Sequence, residues 1–410
     1  GTTFNGGSAT HTVAGNWAAN GTFVGNASTM TMTGTNRSIS STAGATEFNN
    51  LTINGTGTSI TVPALTVRGN ITAPGGLSQV TDGTITMVNS SSKTISGSNL
   101  NFQNLTIDGI VTTASGLTLN GHFTTNTGKS FAASAGTVTM SGASKTIAGA
   151  GSMNFWGLRI SNATSTTSSF TINSSLTGAS ALVATAGTVS FGGTSTFGDT
   201  HYLFNAAGTG TKMQMLSGSH MYIAGAMTKT GSSDFDVSTT TPSYVYYNSI
   251  NPQSVLSTNY HHLILSNTGA KTAGGAVTVN GDITLAIGST FNAGAFSHTV
   301  SGNWINNGTF NHGNGTVTFT GGANTSITGA TTFHTLGLNK TSVNQTVTLN
   351  NGVVATNLQM TNGDIVTGSN KVTLLNNRTG NGWVVGTLTR SHAFVAGTAY
   401  AFNGPHAQLT

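Results

Sequence analysis

The sequence predicts an all-β chain wound into parallel coils, the fold class called a β-solenoid. Three observations favour it: short strand-like segments recur at fixed spacing, the residues between them favour turns, and the composition barely changes along the chain. The 410 residues include 56 glycines and only 5% charged residues. Gly, Asn, Ser and Thr dominate between the apolar segments, and they favour turns over helix interiors. We therefore predict one repeat array in place of two or three ordinary domains.

The clearest repeat is a three-part unit that runs from Thr137 through residues 145–149 to residues 155–160. A copy at residues 83–107 begins 53 residues earlier (136 minus 83) and keeps the order and spacing. More degenerate copies lie at residues 29–53, 244–265 and 316–338. A unit that recurs in this way belongs to the fold. Because one solenoid coil takes roughly 20 residues, an offset of 53 corresponds to two or more coils.

Each part of the unit is predicted to be a short strand. The period in the first part is two, so Val138 and Met140 point to one side and the threonines to the other. Phe155 lies three residues before Leu158, which is the wrong parity for one straight strand, so we predict a bend at Trp156. The predicted core residues of this unit are Val138, Met140, Ile147, Leu158 and Ile160.

A second, larger repeat joins two distant parts of the chain. Residues 3–23 return at residues 290–310 with a constant offset of 287 (298 minus 11). His11 and His298 hold the same place in it, which favours a structural role at a corner over a ligand role. We predict a right-handed parallel solenoid over residues 1–378, irregular around 190–240, followed by a C-terminal β extension at 379–410.

Composition limits the function classes. The 13 basic residues are scattered, and a nucleic-acid surface needs them massed on one face, so no nucleic-acid partner is expected. The cysteine count is zero, which excludes disulfides and cysteine metal sites. No apolar run is long enough for a membrane span, so no membrane insertion is expected. A charge-poor chain rich in Thr, Asn and Gly is typical of exported bacterial proteins, and we predict an extracellular or cell-surface location.

Three sequence segments resemble those of a known class of proteins: residues 260–267, 302–310 and 315–319. They resemble the β-strand repeats of large secreted bacterial surface proteins, the autotransporter-passenger and filamentous-haemagglutinin class of β-helices. The resemblance covers about residues 1–378. It implies a parallel β-helix and a role as a stalk, an adhesin or a fibre. Unlike full-length members of that class, this sequence has no membrane barrel, secretion domain or anchor that we recognise.

Catalysis and metal binding are not expected. Some β-helices act on polysaccharides, which requires clustered carboxylates. Only Asp234 and Asp236 place two acids on one strand face, and a solvated corner is the simpler interpretation. His261 and His262 are adjacent, and neighbours on a strand point to opposite faces, which is poor for chelation. We therefore predict no catalytic residue, no metal site and no cofactor. Outward threonines in successive coils could also form an ice-binding array, although unequal coils would interrupt it.

The leading hypothesis is a structural subunit of an extracellular filament or stalk, whose partner is another copy of itself. We expect the C-terminal tail, or the last coil beside it, to pair head to tail with the first coil of the next subunit. The residues predicted to take part are Thr3, Phe4, Val384, Val385, Leu388, Phe394, Tyr400 and Phe402. The alternative is a monomeric adhesin that binds a glycan or host surface, and a polysaccharide-acting enzyme ranks third. For the adhesin, the place to look for a binding site is the irregular region with Tyr202, Tyr222, Tyr244 and Tyr247.

Overall fold

A computed structural model describes most of the chain, all of it β-strand or turn. The described residues are 2–41, 46–54, 58–74, 78–97, 99–142, 145–160, 169–173, 176–178, 182–184, 188–192, 194–197, 212–215, 218, 220–225, 227, 234–236, 242–391, 393–404 and 407–409. The chain divides into two compact units, Gly1–Gln214 with Thr228–Asp234, and Met215–Met227 with Phe235–Thr410. The all-β prediction is confirmed in the described part.

The strands are short, and most hold three to five residues. The strands before residue 200 are β1 (Thr3–Asn5), β2 (Thr10–Val13), β3 (Trp17–Ala19), β4 (Thr22–Val24), β5 (Thr29–Met32), β6 (Arg37–Ser41), β7 (Thr46–Phe48), β8 (Asn50–Ile53), β9 (Thr58–Val67), β10 (Ile71–Ala73), β11 (Ser78–Val88), β12 (Lys93–Gly97), β13 (Leu100–Phe102), β14 (Asn104–Asp108), β15 (Ile110–Thr113), β16 (Leu117–Leu119), β17 (Phe123–Thr125), β18 (Ser130–Ala133), β19 (Thr137–Met140), β20 (Thr146–Ala148), β21 (Ser152–Phe155), β22 (Gly157–Ile160), β23 (Ser169–Asn173), β24 (Leu176–Gly178), β25 (Leu182–Ala184), β26 (Thr188–Gly192) and β27 (Thr194–Phe197). The strands after residue 200 are β28 (Lys212–Met215), β29 (His220–Ile223), β30 (Asp234–Asp236), β31 (Tyr244–Tyr247), β32 (Gln253–Val255), β33 (Asn259–Tyr260), β34 (His262–Leu265), β35 (Ala270–Ala273), β36 (Thr278–Val279), β37 (Ile283–Leu285), β38 (Thr290–Asn292), β39 (Ser297–Val300), β40 (Trp304–Asn306), β41 (Thr309–Asn311), β42 (Thr316–Phe319), β43 (Thr325–Thr328), β44 (Thr331–Asn339), β45 (Thr346–Leu349), β46 (Val353–Asn362), β47 (Asp364–Leu374), β48 (Arg378–Gly380), β49 (Val384–Arg390), β50 (Tyr400–Ala401) and β51 (Gln408–Leu409).

The first unit is a three-faced parallel solenoid, in which each coil contributes one strand to each face. Face 1a consists of β2, β5, β8, β10, β12, β15, β18, β21, β24 and β27. Face 1b consists of β3, β6, β13, β16, β19, β22 and β25 with the first halves of β9 and β11. Face 1c consists of β1, β4, β7, β14, β17, β20, β23 and β26 with the second halves of β9 and β11. Parallel stacking of this kind confirms the predicted β-solenoid.

The repeat unit is slightly longer than one coil. In the copy around Thr137–Met140, its first and last strands are stacked directly, with Val138 opposite Leu158, an offset of 20 (158 minus 138). The copy at residues 83–107 does the same on another face, where Ile85 lies opposite Leu105. Successive copies start on faces 1a, 1c and 1b, at β5, β11 and β19. An offset of 53 is therefore not a whole number of coils, and it moves the motif by one face.

Coil length varies along the chain. Partner residues are offset by 16 between Val372 and Leu388 (388 minus 372) and by 25 between Ile147 and Ile172 (172 minus 147). The corners absorb the difference, and Gly83 is one of them. Its φ of +69° lies in the left-handed region, and a Cβ there would sit 1.5 Å from the Val62 carbonyl oxygen. Gly83 thus lets β11 turn from face 1b to face 1c against the preceding coil.

The core of the repeat unit is as predicted, except where the side chain is not described. Val138, Met140, Ile147 and Leu158 are buried, at 4% exposure or less. The Ile160 side chain lies outside the described part. The predicted bend is present, because β21 ends at Phe155 and β22 begins at Gly157. Phe155 thus points into the core from face 1a and Leu158 from face 1b, which explains their parity.

The second unit has the same architecture. Face 2a consists of β29, β31, β34, β37, β40, β43 and β45 with the starts of β47 and β49. Face 2b consists of β32, β35, β38 and β41 with the starts of β44 and β46 and the ends of β47 and β49. Face 2c consists of β33, β36, β39, β42 and β48 with the ends of β44 and β46.

The array extends beyond the predicted boundary at residue 378. Strand β49 pairs in parallel with β47, with Ile365 opposite Val384 and Val372 opposite Leu388. The C-terminal extension after it contains a short antiparallel pair, β50 with β51. Most of the region predicted to be irregular, residues 190–240, lies outside the described residues.

Candidate binding and assembly surfaces

An outward-facing group of rings, here called the aromatic stack, lies on face 2a across β29, β31 and β34. His220 stacks on Tyr244 with ring centroids 4.6 Å apart and planes 5° apart, and Tyr244 stacks on His262 at 4.6 Å and 8°. In the neighbouring row, Tyr222 stacks on Tyr246 at 4.1 Å and 13°. These residues face each other because the strands run in register, one coil apart.

The stacking decides what these rings can do. Each ring covers the face of its neighbour, and both faces of Tyr244 are covered. A sugar ring binds an aromatic side chain through an open face, so the stack offers mainly ring edges and hydroxyl groups. The Tyr246 hydroxyl lies 3.1 Å from His220 Nδ1. Burial, followed by the neighbouring Tyr222, raises the pKa of Tyr246 to about 12, so it stays neutral. The stack is best suited to holding adjacent coils in register.

The three described tyrosines of the region considered for glycan binding do not form one surface. Tyr222 and Tyr244 belong to the aromatic stack, Tyr202 lies outside the described residues, and Tyr247 is fully buried. The hydroxyl oxygens of Tyr247 and Tyr260 are 2.8 Å apart in the core. Burial raises the pKa of Tyr247 to about 12. Sequence reasoning missed Tyr246, although its place two residues after Tyr244 indicates the same outward face.

The histidine pair does not point to opposite faces, so that prediction is wrong. His261 lies at the corner between β33 and β34, and its ring meets that of His262 edge to face at 4.4 Å. The Asp282 N–H donates to His262 Nδ1 at 3.0 Å. Burial lowers the pKa of both histidines. Across the described residues, no three His, Cys, Asp or Glu side chains come together as a metal site would require. The side chains of Asp234 and Asp236 lie outside this description.

Threonines also stack in register on the outer surface. Thr66, Thr86, Thr106 and Thr124 follow one another on face 1c. This ladder is bounded by Glu47 on one side and by Ala148 on the other. A lattice of hydroxyls therefore extends over only four coils on this face.

The coil of β1 to β3, together with Phe23 of β4, presents an apolar surface. It is here called the first-coil surface and is defined by Phe4, Trp17 and Phe23. Phe4 is 51% exposed and stacks on Phe23 at a centroid distance of 5.6 Å. Trp17 meets Phe23 edge to face at 5.1 Å. A groove of about 370 Å³ is lined by these three rings and by Thr3. Among the predicted assembly residues, Thr3 and Phe4 are thus exposed.

The C-terminal tail, residues 391–409, folds back onto the last coil. The Val384 N–H donates to the Asn403 carbonyl at 2.8 Å. Arg390 donates from Nε to the Ala401 carbonyl at 2.9 Å, and its guanidinium lies 5.4 Å from the ring centre of Tyr400 and 5.6 Å from that of Phe402. Of the predicted assembly residues in this region, Val384 is buried, Leu388, Tyr400 and Phe402 are half-buried, and Val385 and Phe394 are exposed.

Buried cations are a feature that sequence reasoning missed. Lys271 is fully buried, and its Nζ donates to the carbonyls of Ser249 at 2.7 Å and Gly269 at 2.6 Å. Lys340 Nζ donates to the Thr320 carbonyl at 2.7 Å. Arg378 donates to the carbonyls of Gly380, at 2.5 Å, and Gly382. Each cation satisfies carbonyls that a corner turns inward. The only sequence signal is that Lys271 takes the apolar position of its strand, opposite Phe291.

The fold and these surfaces define the chain as a repetitive parallel β-solenoid. A scan against protein-family models and searches of curated proteins and of solved structures find no match to this chain. In the described part of the chain, no helix is long and apolar enough to cross a membrane.

Proposed function

We propose that this protein is a structural subunit of an extracellular filament or stalk that assembles head to tail through its solenoid coils. The first and last coils of a parallel stack each leave one strand edge unpaired, and the two edges are complementary, so each can pair with another coil. A contact between unlike ends does not close on itself and propagates. The proposal rests on the first-coil surface.

The internal copy of the motif indicates what covers that surface. Phe291, the counterpart of Phe4, is 1% exposed, because β35 of the preceding coil lies over β38 and places Lys271 opposite Phe291. Phe4 is 51% exposed. In the described part of the chain, β1 pairs only with β4 of the following coil, which places Phe23 opposite Phe4. The natural occupant of this surface is therefore another parallel coil.

In the proposed assembly, that coil is the last coil of a second copy, formed by β47 to β49. The tail lies on this coil, with Asn403 and Ala401 bonded to Val384 and Arg390. The tail thus competes with the incoming subunit, and its removal uncovers the edge of β49. Val385, which is 51% exposed, adds apolar area beside that edge.

The test measures assembly of four proteins by sedimentation velocity and electron microscopy: the 410-residue chain, Phe4→Asp, a deletion of residues 391–410, and the two changes combined. We expect the deletion to form longer filaments than the parent, and Phe4→Asp to abolish assembly in both backgrounds. A single buried carboxylate in an apolar contact is sufficient for this effect.

The matched control is Ile110→Asp, at a residue that is 42% exposed on face 1a, away from the first-coil surface. It should assemble like the parent. If the deletion protein stays monomeric at its highest soluble concentration, or if Phe4→Asp assembles as well as Ile110→Asp, the head-to-tail proposal is wrong.

A further inference from the structure

A groove of about 350 Å³ lies along one corner of the second unit, between faces 2c and 2a. Three successive turns form it, at residues 341–345, 361–363 and 381–383. Its lining residues are Val343, Asn344, Thr361, Asn362, Gly363, Asp364, Asn381, Gly382 and Trp383. The groove combines one large aromatic ring with amides, a hydroxyl and a carboxylate.

Trp383 is 47% exposed and held in place from two sides. Its backbone N–H donates to Asp364 Oδ1 at 2.6 Å. Gly404 of the tail packs directly against the six-membered ring of the indole, since a Cβ on Gly404 would lie 2.2 Å from it. Beneath the turn, Arg378 donates to the carbonyls of Gly380 and Gly382. The ring is therefore preorganised, with part of its surface open to the groove.

Polar groups surround the ring. Asp364 uses Oδ1 for the Trp383 N–H, and its Oδ2 has no hydrogen-bond partner within the described residues. Asn362 donates from Nδ2 to the Lys340 carbonyl at 2.7 Å, and its side-chain oxygen accepts no hydrogen bond from the described residues. Asn381 and Thr361 are exposed. The groove thus offers several acceptors and donors within reach of one aromatic face.

The charges favour an uncharged ligand. Asp364 is the only charged side chain that lines the groove. The two cations nearest to it, Lys340 and Arg378, are buried and donate to main-chain carbonyls. An anionic ligand would meet a carboxylate without an available cation, whereas hydroxyl groups can donate to that carboxylate.

We propose that this groove binds a neutral carbohydrate, with one sugar ring packed on Trp383 and its hydroxyl groups bonded to Asp364, Asn362 and Asn381. A sugar ring has an apolar C–H face and a polar rim, which is the pairing that the groove offers. In the aromatic stack, by contrast, each ring is stacked on a neighbouring ring, and both faces of Tyr244 are covered. This activity goes beyond the proposed structural role and belongs to the chain whose tail is in place, with Gly404 packed against Trp383.

The test applies the purified chain to a printed array of neutral and acidic oligosaccharides. Binding to one or more neutral glycans is expected, with at least a tenfold loss of affinity for Trp383→Ala and a smaller loss for Asp364→Asn. The asparagine keeps an oxygen for the Trp383 N–H, so that the turn is preserved.

Trp156→Ala is the matched control, because Trp156 is 43% exposed and belongs to the first unit. It should bind like the parent, and unchanged melting curves should establish that all three variants are folded. The proposal is overturned if the array shows no neutral glycan bound, if acidic glycans bind better, or if Trp383→Ala binds as tightly as Trp156→Ala.

Discussion

Residues 3–23 and 290–310 share one motif, but they differ in how far its side chains are packed. The local hydrogen bonds are the same in both copies: His11 Nε2 lies 3.0 Å from the Gly6 carbonyl, and His298 Nε2 lies 2.9 Å from that of Ala293. The rings differ, since Phe4 is 51% exposed and Phe291 is 1% exposed. The hydrogen bond between residues five apart thus forms in both copies. Burial of the phenylalanine ring, in contrast, requires a preceding coil that covers it.

One side-chain bond across coils shows the same difference. In the second copy, Trp304 Nε1 donates to Thr331 Oγ1 at 3.3 Å, and Asn306 Nδ2 donates to the same oxygen at 3.0 Å. In the first copy, the equivalent threonine is Thr46, which lies two residues before Phe48 as Thr331 lies two residues before Phe333. Trp17 Nε1 and Thr46 Oγ1 are buried, and neither has a hydrogen-bond partner among the described residues. The Trp–Thr hydrogen bond is therefore made only in the more tightly packed copy. Three pairs of substitutions and one measurement of pH dependence test this comparison.

The largest difference is expected between Phe291→Asp and Phe4→Asp. A carboxylate at Phe291 would be buried without a partner, at a cost of at least about 4 kcal/mol in the free energy of unfolding. At Phe4 it would remain in water, at a cost below about 1 kcal/mol. Urea titration followed by far-UV circular dichroism measures both. Equal losses would show that exposure does not distinguish the two copies.

Substitution of the buried Trp304 should also lower the free energy of unfolding more than substitution of Trp17. Trp304 is 1% exposed and contacts the rings of Phe310 at 4.8 Å and Phe333 at 5.4 Å. Trp304→Ala is expected to cost about 3–5 kcal/mol. Trp17→Ala should cost less than half of that, because Trp17 is only half-buried and its indole N–H makes no bond. The comparison fails if the two variants have the same urea midpoint.

A smaller effect is expected from the threonines. Thr331→Val removes the acceptor of both Trp304 and Asn306, which should cost about 1–3 kcal/mol. Thr46→Val removes a hydroxyl that has no partner, so the free energy of unfolding should change by less than about 0.5 kcal/mol. Because the two substitutions are chemically identical, a larger loss for Thr46→Val would contradict the hydrogen-bond account.

The last test uses pH. His298 accepts the Val277 N–H at Nδ1, at 3.2 Å, and donates from Nε2, so the structure requires the neutral ring. Burial lowers the pKa of His298 below its ordinary value of 6.5, and the folded state then binds fewer protons than the unfolded state. Stability is therefore present in full above pH 6.5 and falls as the pH drops through that value. The urea midpoint of the parent should fall more between pH 8 and pH 5 than that of His298→Gln. Parallel curves would contradict this assignment.

Much of the coil architecture could be predicted from the sequence, because strand alternation and turn residues are local. The parity of Phe155 and Leu158 was enough to locate the bend at Trp156. Features that depend on coil length could not be predicted in this way, since coils vary from 16 to 25 residues and the corners absorb the difference. The pairing of β49 and the corner contact of His261 with His262 are of this kind.

The surfaces were less predictable than the fold. The position of the tail depends on long-range contacts such as that of Gly404 with Trp383. Lys271 takes an apolar position in its strand, where it donates to the carbonyls of Ser249 and Gly269. Such contacts leave no pattern in one sequence.

The rotation of the motif by one face bears on how such a chain avoids folding errors. Near-identical segments that neighbour each other in space can exchange places while the chain folds, and the exchange loops out a whole repeat. Here β5, β11 and β19 start similar segments on three different faces of the first unit. A strand that took the place of its counterpart would start its coil at the wrong corner, and the turns that follow would not meet the coil below. The chain thus repeats one short sequence motif, while these three copies start on different faces of the solenoid.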